Sequence, residues 1–169
     1  MRNRGVDHKP DEKFAEFYEQ ARAGCLRAVY AAVGDWPLAE DLTAEAFARA
    51  YASWRTVCWH PAPHAWVVRT ALNTHISWWR RRRREVALDA SYDAENRTPE
   101  SAEIDRNVMQ ALKALPARQR EVVVLRIFLD LDTETTARAL GIAPGTVMTH
   151  LSRALAALRG ALVLARDRS

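Results

Sequence analysis

Residues 132–155 read DTETTARALGIAPGTVMTHLSRAL, and this stretch decides the fold. Its first part, Asp132–Leu140, places Ala137 and Leu140 on one face of a short helix. Gly141 then supplies a tight turn, and Ile142 fills the corner before a second helix begins. The pattern predicts two helices set at a steep angle, a helix-turn-helix that extends to about residue 159.

The second helix of this motif has two distinct faces. Val147 and Leu151 are four residues apart and point inward, and the outer face is predicted to carry Thr146, Thr149, His150 and Arg153. An apolar back, a short polar front and a basic residue for phosphate are typical of a recognition helix, so we expect this segment to bind duplex DNA. Taken alone, the segment also fits an ordinary helical hairpin.

The rest of the chain has the same helical texture. Apolar residues recur at i, i+3 and i+4, and no segment alternates for long enough to build a sheet. The predicted helices span residues 11–33, 37–54, 64–84, 99–114, 116–128, 132–140 and 144–163, with a proline-containing loop over 55–63. The sequence therefore predicts an all-α fold.

A change of charge divides the chain. The third predicted helix ends in five consecutive arginines, Arg80–Arg84, and the next residues include Asp89, Asp93, Glu95 and Glu100. The apolar period vanishes there, which indicates a linker. We therefore predict two small helical domains joined by a flexible acidic linker, with boundaries at 11–84, 85–100 and 101–165.

Composition sets limits on the class of protein. The chain has 169 residues, 49% hydrophobic and 27% charged, with a formal net charge of +4. This is enough apolar material for a packed core, and the basic balance weakly favours a polyanionic partner. No apolar run approaches the roughly 20 residues of a membrane span, and residues 1–12 have no signal-peptide pattern. We therefore expect a cytoplasmic protein without membrane insertion.

The sequence offers no catalytic or cofactor-binding pattern. It has no metal-ligand spacing, no glycine-rich phosphate loop and no nucleophile–base set, so we expect no enzyme activity, cofactor or metal. Two cysteines, Cys25 and Cys58, are too few for a disulfide framework. We expect free thiols, and a redox-sensing pair is the alternative.

Four stretches together resemble the sigma-70 family, specifically its small extracytoplasmic-function (ECF) type with only the second and fourth regions. LAEDLTAEAFARAY at 38–51 looks like the family's core-binding helix, and AWVVRTALN at 65–73 looks like its −10 helix. LPARQREVVVLR at 115–126 matches the start of the fourth region, and the helix-turn-helix completes it. The order and spacing of these stretches carry the resemblance over about residues 14–162.

The resemblance implies a function without covalent chemistry. Such proteins join bacterial RNA polymerase core through its clamp and flap regions, bring it to −35 and −10 promoter elements, and help to open the DNA. An anti-sigma factor is a further candidate partner, since such a protein could bind around two lobes that are joined by a flexible acidic linker. The resemblance also implies that residues 11–84 form region 2, a three-helix type of bundle, and that residues 101–165 form region 4.

The resemblance assigns residues to three surfaces. Those expected to bind polymerase core are Asp41, Leu42, Glu45, Phe47 and Arg49. Those expected at the −10 element are Trp59, His60, Arg69, Asn73, Trp78, Trp79, Arg80 and Arg81. Those expected at the −35 element are Arg118, Arg120, Thr146, Met148, Thr149, His150 and Arg153.

Several of these assignments have structural alternatives. Leu42 and Phe47 also suit a hydrophobic core, and Trp59 suits either a stacking wall for a flipped base or packing on its own domain. The chain departs from the family at Met148 and His150, where basic residues are common, and in the two prolines of the 55–63 loop. Met148 can contact a thymine methyl group but cannot pair with guanine, which predicts an unusual −35 preference.

Three other functions compete with this interpretation. A stand-alone helix-turn-helix regulator would explain residues 132–159 but would not need the first half of the chain. A small helical hydrolase lacks a catalytic constellation. An inactive sigma-like scaffold would accommodate Met148 and the altered loop.

Overall fold

The computed structural model describes the backbone of residues 9–85 and 106–166 and the side chains of residues 12–81 and 106–164. Every regular element in these two ranges is helical, which confirms the predicted all-α class. Most of the acidic segment predicted as a linker, the start of the predicted 99–114 helix and the side chains of Arg82–Arg84 lie outside the described residues.

The first lobe consists of four helices: α1 (Lys9–Val33), α2 (Trp36–Ala52), α3 (Trp54–Val57) and α4 (Pro63–Glu85). Asp35 begins α2, because its Oδ1 accepts a hydrogen bond from the Leu38 amide at 2.9 Å. The break at Ser53 ends α2 earlier than the predicted residue 54. The predicted 55–63 loop is wrong for residues 55–57, which belong to α3.

The second lobe consists of α5 (Arg106–Ala114), α6 (Ala117–Val123), a π-helical turn (Val124–Phe128), α7 (Thr133–Leu140) and α8 (Pro144–Arg166). The sequence predicted one regular helix over 116–128. The structure instead widens its second half into the π-helical turn, where the Leu129 amide bonds to the Val124 carbonyl at 3.2 Å. Val124 and Leu125 are both buried there, so the turn presents apolar side chains to the core.

Aromatic rings hold the first lobe together. Phe17 of α1 stacks on Trp54 with ring centroids 5.0 Å apart, and Tyr18 meets Phe47 of α2 edge-on at 4.9 Å. Phe14 adds an edge-on contact to Trp54 at 5.2 Å. Such pairs each contribute roughly 0.5–1.5 kcal/mol beyond the burial of their area. They fix the position of α2 and of the turn that follows it.

Helix α1 is buried along a broad arc. Cys25 and Val29 are fully buried, and the Cys25 Sγ donates to the His64 carbonyl of α4 at 3.6 Å. Ala28 and Ala31 are fully buried as well. At about 100° per residue, the buried arc from Ala31 to Val29 covers roughly 160° of the helix. An arc this wide requires packing partners on more than one side.

The second lobe supplies those additional partners. Helix α1 packs on α2 and α4 of its own lobe and also on α5 and the π-helical turn of the second lobe. Buried residues of both lobes therefore form one continuous hydrophobic cluster, from Cys25 through Leu42 to Leu112 and Val147.

Polar groups line the contact between the lobes, which we call the lobe seam. It comprises Gly34, Asp35, Arg69 and His75 of the first lobe and Lys113, Arg120 and Ala139 of the second.

Gly34 and Lys113 meet at one end of the lobe seam. Gly34 has φ +71°, and a Cβ placed on it would collide with the Lys113 side chain. Glycine is therefore favoured at this position by its backbone conformation, whereas the flexible end of the lysine could move aside for a side chain.

The longest helix of the second lobe is unusually apolar. Within the described ranges, the stretch Pro144–Leu164 of α8 reaches a mean hydropathy of 1.2 and is long enough, by length and composition alone, to cross a membrane. This departs from the expectation that no such run exists. One such helix is weak evidence for a span, and Val147 and Ala154 of this helix are fully buried within the fold.

Because the core is continuous, we predict that damage in one lobe lowers the stability of the other. All six tryptophans lie between residues 36 and 79, so their fluorescence reports on the first lobe, whereas circular dichroism reports on both. Leu112→Ala in the second lobe should cost about 2–5 kcal/mol, since Leu112 is fully buried. This variant should shift the midpoint of urea unfolding measured by tryptophan fluorescence as far as the midpoint measured by circular dichroism.

Leu42→Ala, at an equally buried position of the first lobe, is the matched variant and should shift both signals in the same way. A tryptophan transition that stays in place in Leu112→Ala would mean that the lobes unfold independently.

Histidines in the first lobe make stability depend on pH. Burial, and then the nearby Arg120 charge, lower the pKa of His75, although Asp35 opposes this. Burial, and then His60, lower the pKa of His64. The unfolded chain, with histidine pKa values near ~6.5, therefore binds protons before the folded chain does.

We predict that the contribution of these histidines to the free energy of unfolding is constant above about pH 7.5 and falls as the pH drops through ~6.5. His75→Gln should flatten this slope, measured by urea unfolding at a series of pH values. His64→Gln should flatten it independently. Equal slopes in the wild type and in both variants would contradict the prediction.

Candidate nucleic-acid and polymerase-binding surfaces

The helix-turn-helix is formed by α7, the turn after it and the first part of α8. The Asp132 Oδ1 accepts a hydrogen bond from the Thr135 amide at 2.6 Å, and this bond lowers the pKa of the Asp132 carboxyl group. Gly141 ends α7 in the left-handed conformation, with φ +65°, and the Ile142 amide bonds back to the Ala137 carbonyl at 3.1 Å. The predicted role of Gly141 in this turn is confirmed.

The outer face of α8 matches most of the predicted −35 surface. Thr146, Thr149 and Arg153 are exposed, whereas Val147 and Ala154 are fully buried behind them. Thr149 turns its hydroxyl back to donate to the Gly145 carbonyl at 2.9 Å.

Met148 and His150, where the sequence departs from the family pattern, differ in their exposure to solvent. Met148 is 63% exposed and is a large apolar side chain on the outer face. His150 is only half-exposed, and its buried Nδ1 has no hydrogen-bond partner within the described ranges. Of the two, Met148 therefore has the more accessible side chain.

The two arginines of α6 have different environments. Arg118 is exposed and forms an ion pair with Glu121 at 2.8 Å. Arg120 is half-buried and donates to the Lys113 carbonyl at 2.9 Å, where it satisfies the end of α5. Arg118 thus faces outward, whereas Arg120 belongs to the lobe seam.

Sequence reasoning missed a groove beside Met148. This groove of about 350 Å³ is lined by Arg126, Thr133, Met148, Leu151, Ser152, Leu155 and Arg159. Met148, Ser152, Leu155 and Arg159 lie at i, i+4, i+7 and i+11 of α8, and this periodicity was the available signal. Arg126 was hidden within a predicted apolar helix and donates to the Leu131 carbonyl beyond the π-helical turn.

Helix α4 carries the predicted −10 residues, and most of them are accessible. Asn73, Arg80 and Arg81 are exposed, and Trp78 and Trp79 expose 41% and 51% of their surface. Arg69 differs, because it is half-buried and donates a hydrogen bond to the Ala139 carbonyl at the end of α7. The helix therefore ends in a basic and aromatic face but engages the second lobe near its middle.

The turn between α3 and α4 presents Trp59 to solvent. Trp59 is 86% exposed, so the structure favours a free ring over packing on the domain. His60 is half-buried instead, and its Nδ1 accepts a hydrogen bond from the Ala62 amide at 3.0 Å. His60 thereby shapes the turn, whereas the Trp59 ring remains accessible to solvent.

Helix α2 divides the predicted polymerase-binding residues into two groups. Asp41, Glu45 and Arg49 lie at the surface, and Glu45 and Arg49 form an ion pair at 2.8 Å. Leu42 and Phe47 are buried, at 0% and 3% exposure, so in this structure they are core residues. Of the predicted set, only the charged residues are therefore accessible at the surface of α2.

Features for other chemistry are lacking in the described ranges. No group of three or more His, Cys, Asp or Glu side chains is placed to hold a metal. Cys25 and Cys58 are free thiols. Burial raises the pKa of Cys25 to about 12, so it has almost no thiolate at neutral pH. This argues against the redox-pair alternative.

Comparison with known proteins follows the same division into lobes. The family model "Sigma-70 region 2" matches residues 17–85, and "Sigma-70, region 4" matches residues 105–158. The RNA polymerase sigma-E factor of Streptomyces coelicolor is 38% identical over 157 residues, covering 92% of this chain and 88% of that protein. The ECF RNA polymerase sigma factor SigW of Bacillus subtilis is 27% identical and covers 88% of each chain.

A solved structure shares the fold. The sigma factor RpoE, determined in complex with the anti-sigma factor NepR from Bartonella quintana, has a TM-score of 0.75 at 23% identity. The match covers 89% of this chain and 97% of that one. The resemblance to the sigma-70 family is thus confirmed over both lobes, and the chain belongs to the sigma-70 family of RNA polymerase sigma factors, of the ECF type.

Proposed function

We propose that this chain binds bacterial RNA polymerase core and directs it to promoters by binding −35 and −10 elements and aiding the opening of the DNA. The observation that carries the proposal is the presence, on one chain, of both family regions with their exposed faces. A stand-alone regulator would need only α7 and α8. The protein would act in the cytoplasm, where transcription takes place in bacteria.

The first lobe is proposed to bind core and the −10 element. On α2, Asp41, Glu45 and Arg49 supply exposed charges that suit recognition by a complementary polymerase surface. On α4 and the turn before it, Trp59, Trp78 and Trp79 supply rings on which unpaired bases can stack, with Arg80 and Arg81 beside them for phosphate. This combination suits single-stranded DNA, which a melted −10 element provides.

The second lobe is proposed to bind the −35 element as duplex. Thr146, Thr149 and Arg153 present short polar groups and one cation from a helix whose back is buried, as entry into a major groove requires. Met148 adds an apolar contact suited to a thymine methyl group. Arg118 is placed for the backbone. Residues 11–84 and 101–165 are proposed as the two functional units, with 85–100 as the linker.

An anti-sigma factor is a further proposed partner. A protein that binds both lobes at once would cover the polymerase-binding and DNA-binding faces together. The charged face of α2 and the basic end of α4 offer it complementary contacts.

Run-off transcription with purified polymerase core, this chain and genomic promoter fragments tests the proposed function. We expect discrete transcripts that require both proteins. Asp41→Arg should lower the affinity for core by at least tenfold, because it reverses a charge at the centre of the proposed surface. Glu19→Arg, a charge reversal at an exposed position of α1, is the matched control and should bind core normally.

Two outcomes would contradict this proposal. Undiminished core binding by Asp41→Arg would remove α2 from the interface. Retention of promoter DNA without any association with core would favour a stand-alone regulator instead.

Arg153→Ala tests the −35 assignment. Loss of one phosphate contact should weaken binding to a −35 duplex and reduce the slope of log K against log salt by about 0.9. Fluorescence anisotropy at several salt concentrations measures both quantities. Arg106→Ala removes an equally exposed positive charge from α5 and should leave the slope unchanged. An unaltered slope in Arg153→Ala would place this residue away from the DNA.

A further inference from the structure

The first two turns of α8 lack the side chains that pair with a base through two hydrogen bonds. Residues 144–152 read PGTVMTHLS, whereas guanine and adenine are commonly read in the major groove by arginine, lysine, asparagine or glutamine. The N-terminal residues of a recognition helix are the ones that contact base edges, and Arg153 follows these turns. A serine or threonine hydroxyl offers a single hydrogen bond that fits more than one base. Sequence discrimination by α8 therefore depends on another kind of contact.

The hydroxyl group of Thr149 is not available as a donor to a base. It donates to the Gly145 carbonyl at 2.9 Å, within α8 itself. A hydroxyl group has one hydrogen, so Thr149 retains only its methyl group and the acceptor capacity of its oxygen. Because Thr149 is exposed, that methyl group is an apolar contact on the outer face of the helix.

Met148 supplies a second apolar group next to Thr149. Its side chain is 63% exposed, and it lines the groove of α8 together with Leu151 and Leu155. An unbranched thioether side chain adapts its shape to an irregular apolar surface. The outer face of α8 therefore begins with two neighbouring residues whose free groups are apolar.

Gly145 allows these side chains to come close to the bases. A Cβ at this position would meet no atom within 4 Å, so packing inside the protein does not require glycine there. The absence of a side chain lets the start of α8 approach the floor of the major groove closely. A side chain as short as that of Thr149 needs such an approach to reach a base edge.

We propose that Met148 and Thr149 determine the specificity of −35 binding by contacting the C5-methyl groups of thymines, so that the element contains A·T pairs at both contacts. This inference rests on the proposed function, since it assigns the chemistry of the proposed −35 surface. In the major groove the C5-methyl group distinguishes thymine from the other three bases. Neither side chain has a free donor, so guanine there would leave its N7 and O6 acceptors without a partner.

Replacing thymine by uracil in the −35 element removes the methyl group and keeps every hydrogen-bonding group of the base pair. The probe is a promoter fragment that supports run-off transcription, bound by the full chain with polymerase core in the cold, where the DNA stays double-stranded. We expect the dissociation constant, measured by fluorescence anisotropy, to rise about fourfold for each contacted methyl group that is removed. Uracil placed between the two elements is the control and should leave the affinity unchanged. Equal affinity for thymine and uracil in the −35 element overturns the proposal.

Met148→Ala tests whether the methyl group meets this side chain. The variant should bind the thymine fragment less tightly than the wild type does, and at one position it should no longer distinguish thymine from uracil. Such a cycle of protein and DNA changes isolates the pairwise contact. Sensitivity to uracil that is unchanged at every position would attribute the effect to the shape of the DNA and refute the contact.

Thr149→Ser and Thr149→Val separate the methyl group from the hydroxyl group. Serine keeps the hydroxyl group and loses the methyl group, so it should weaken binding about fourfold. Valine keeps the methyl group and replaces the hydroxyl group by a second one, so it should bind with wild-type affinity. The opposite order would show that the hydroxyl group contacts the base and would refute the proposed role of Thr149.

Selection of duplexes from a random pool separates this inference from the proposed function. We expect the chain, alone or bound to core, to enrich thymine-containing sequences, and to lose that enrichment when the pool contains uracil in place of thymine. Enrichment by the chain alone, without any core-dependent transcript, leaves thymine recognition standing and refutes the proposed function. Core-dependent transcripts from promoters that bind equally well with uracil leave the proposed function standing and refute thymine recognition.

Discussion

Helix α1 is buried on two sides at once, and the rest of the structure depends on this. The side that carries Cys25 and Val29 packs on α2 and α4, and Ala28 and Ala31 extend the buried arc. Alanine suits such a helix, because a small side chain lets neighbouring elements approach closely while it loses no rotamer freedom. Helix α1 packs on α5 and the π-helical turn as well as on α2 and α4.

The proposed functional surfaces consist of the side chains that remain exposed around this shared core. On α2, Leu42 and Phe47 are buried in the core, whereas Asp41, Glu45 and Arg49 lie at the surface. On α8, Val147 and Ala154 are buried in the core, whereas Thr146, Thr149 and Arg153 are exposed. The buried members therefore act by holding each helix in a fixed rotation, since a turn of about 100° would bring a different set of side chains to the surface. The His60–Ala62 hydrogen bond lies in the same turn as exposed Trp59.

The arginines of this chain have two kinds of environment, and their positions in the sequence do not tell these apart. Arg118, Arg153, Arg80 and Arg81 are exposed and suit a polyanion. Arg69, Arg120 and Arg126 instead donate to backbone carbonyls at the ends of α7, α5 and the segment after the π-helical turn. Both uses rest on the same charge, so only the hydrogen-bond partners and the exposure of each arginine tell them apart. Arg69 is the clearest case, because it joins the two lobes.

The sequence by itself determined the helical class, the helix-turn-helix and the order of the two family regions. These depend on local signals: apolar period, the Asp132 cap and the Gly141 turn act within a few residues of chain. Tertiary structure alone decided the second buried side of α1, the π-helical turn, the fate of Arg69 and Arg120, and the groove that joins Arg126 to Arg159. The burial of α1, the position of Arg69 and the groove require contact between residues far apart in sequence, and single-helix periodicity carries no information about which neighbour a face will meet.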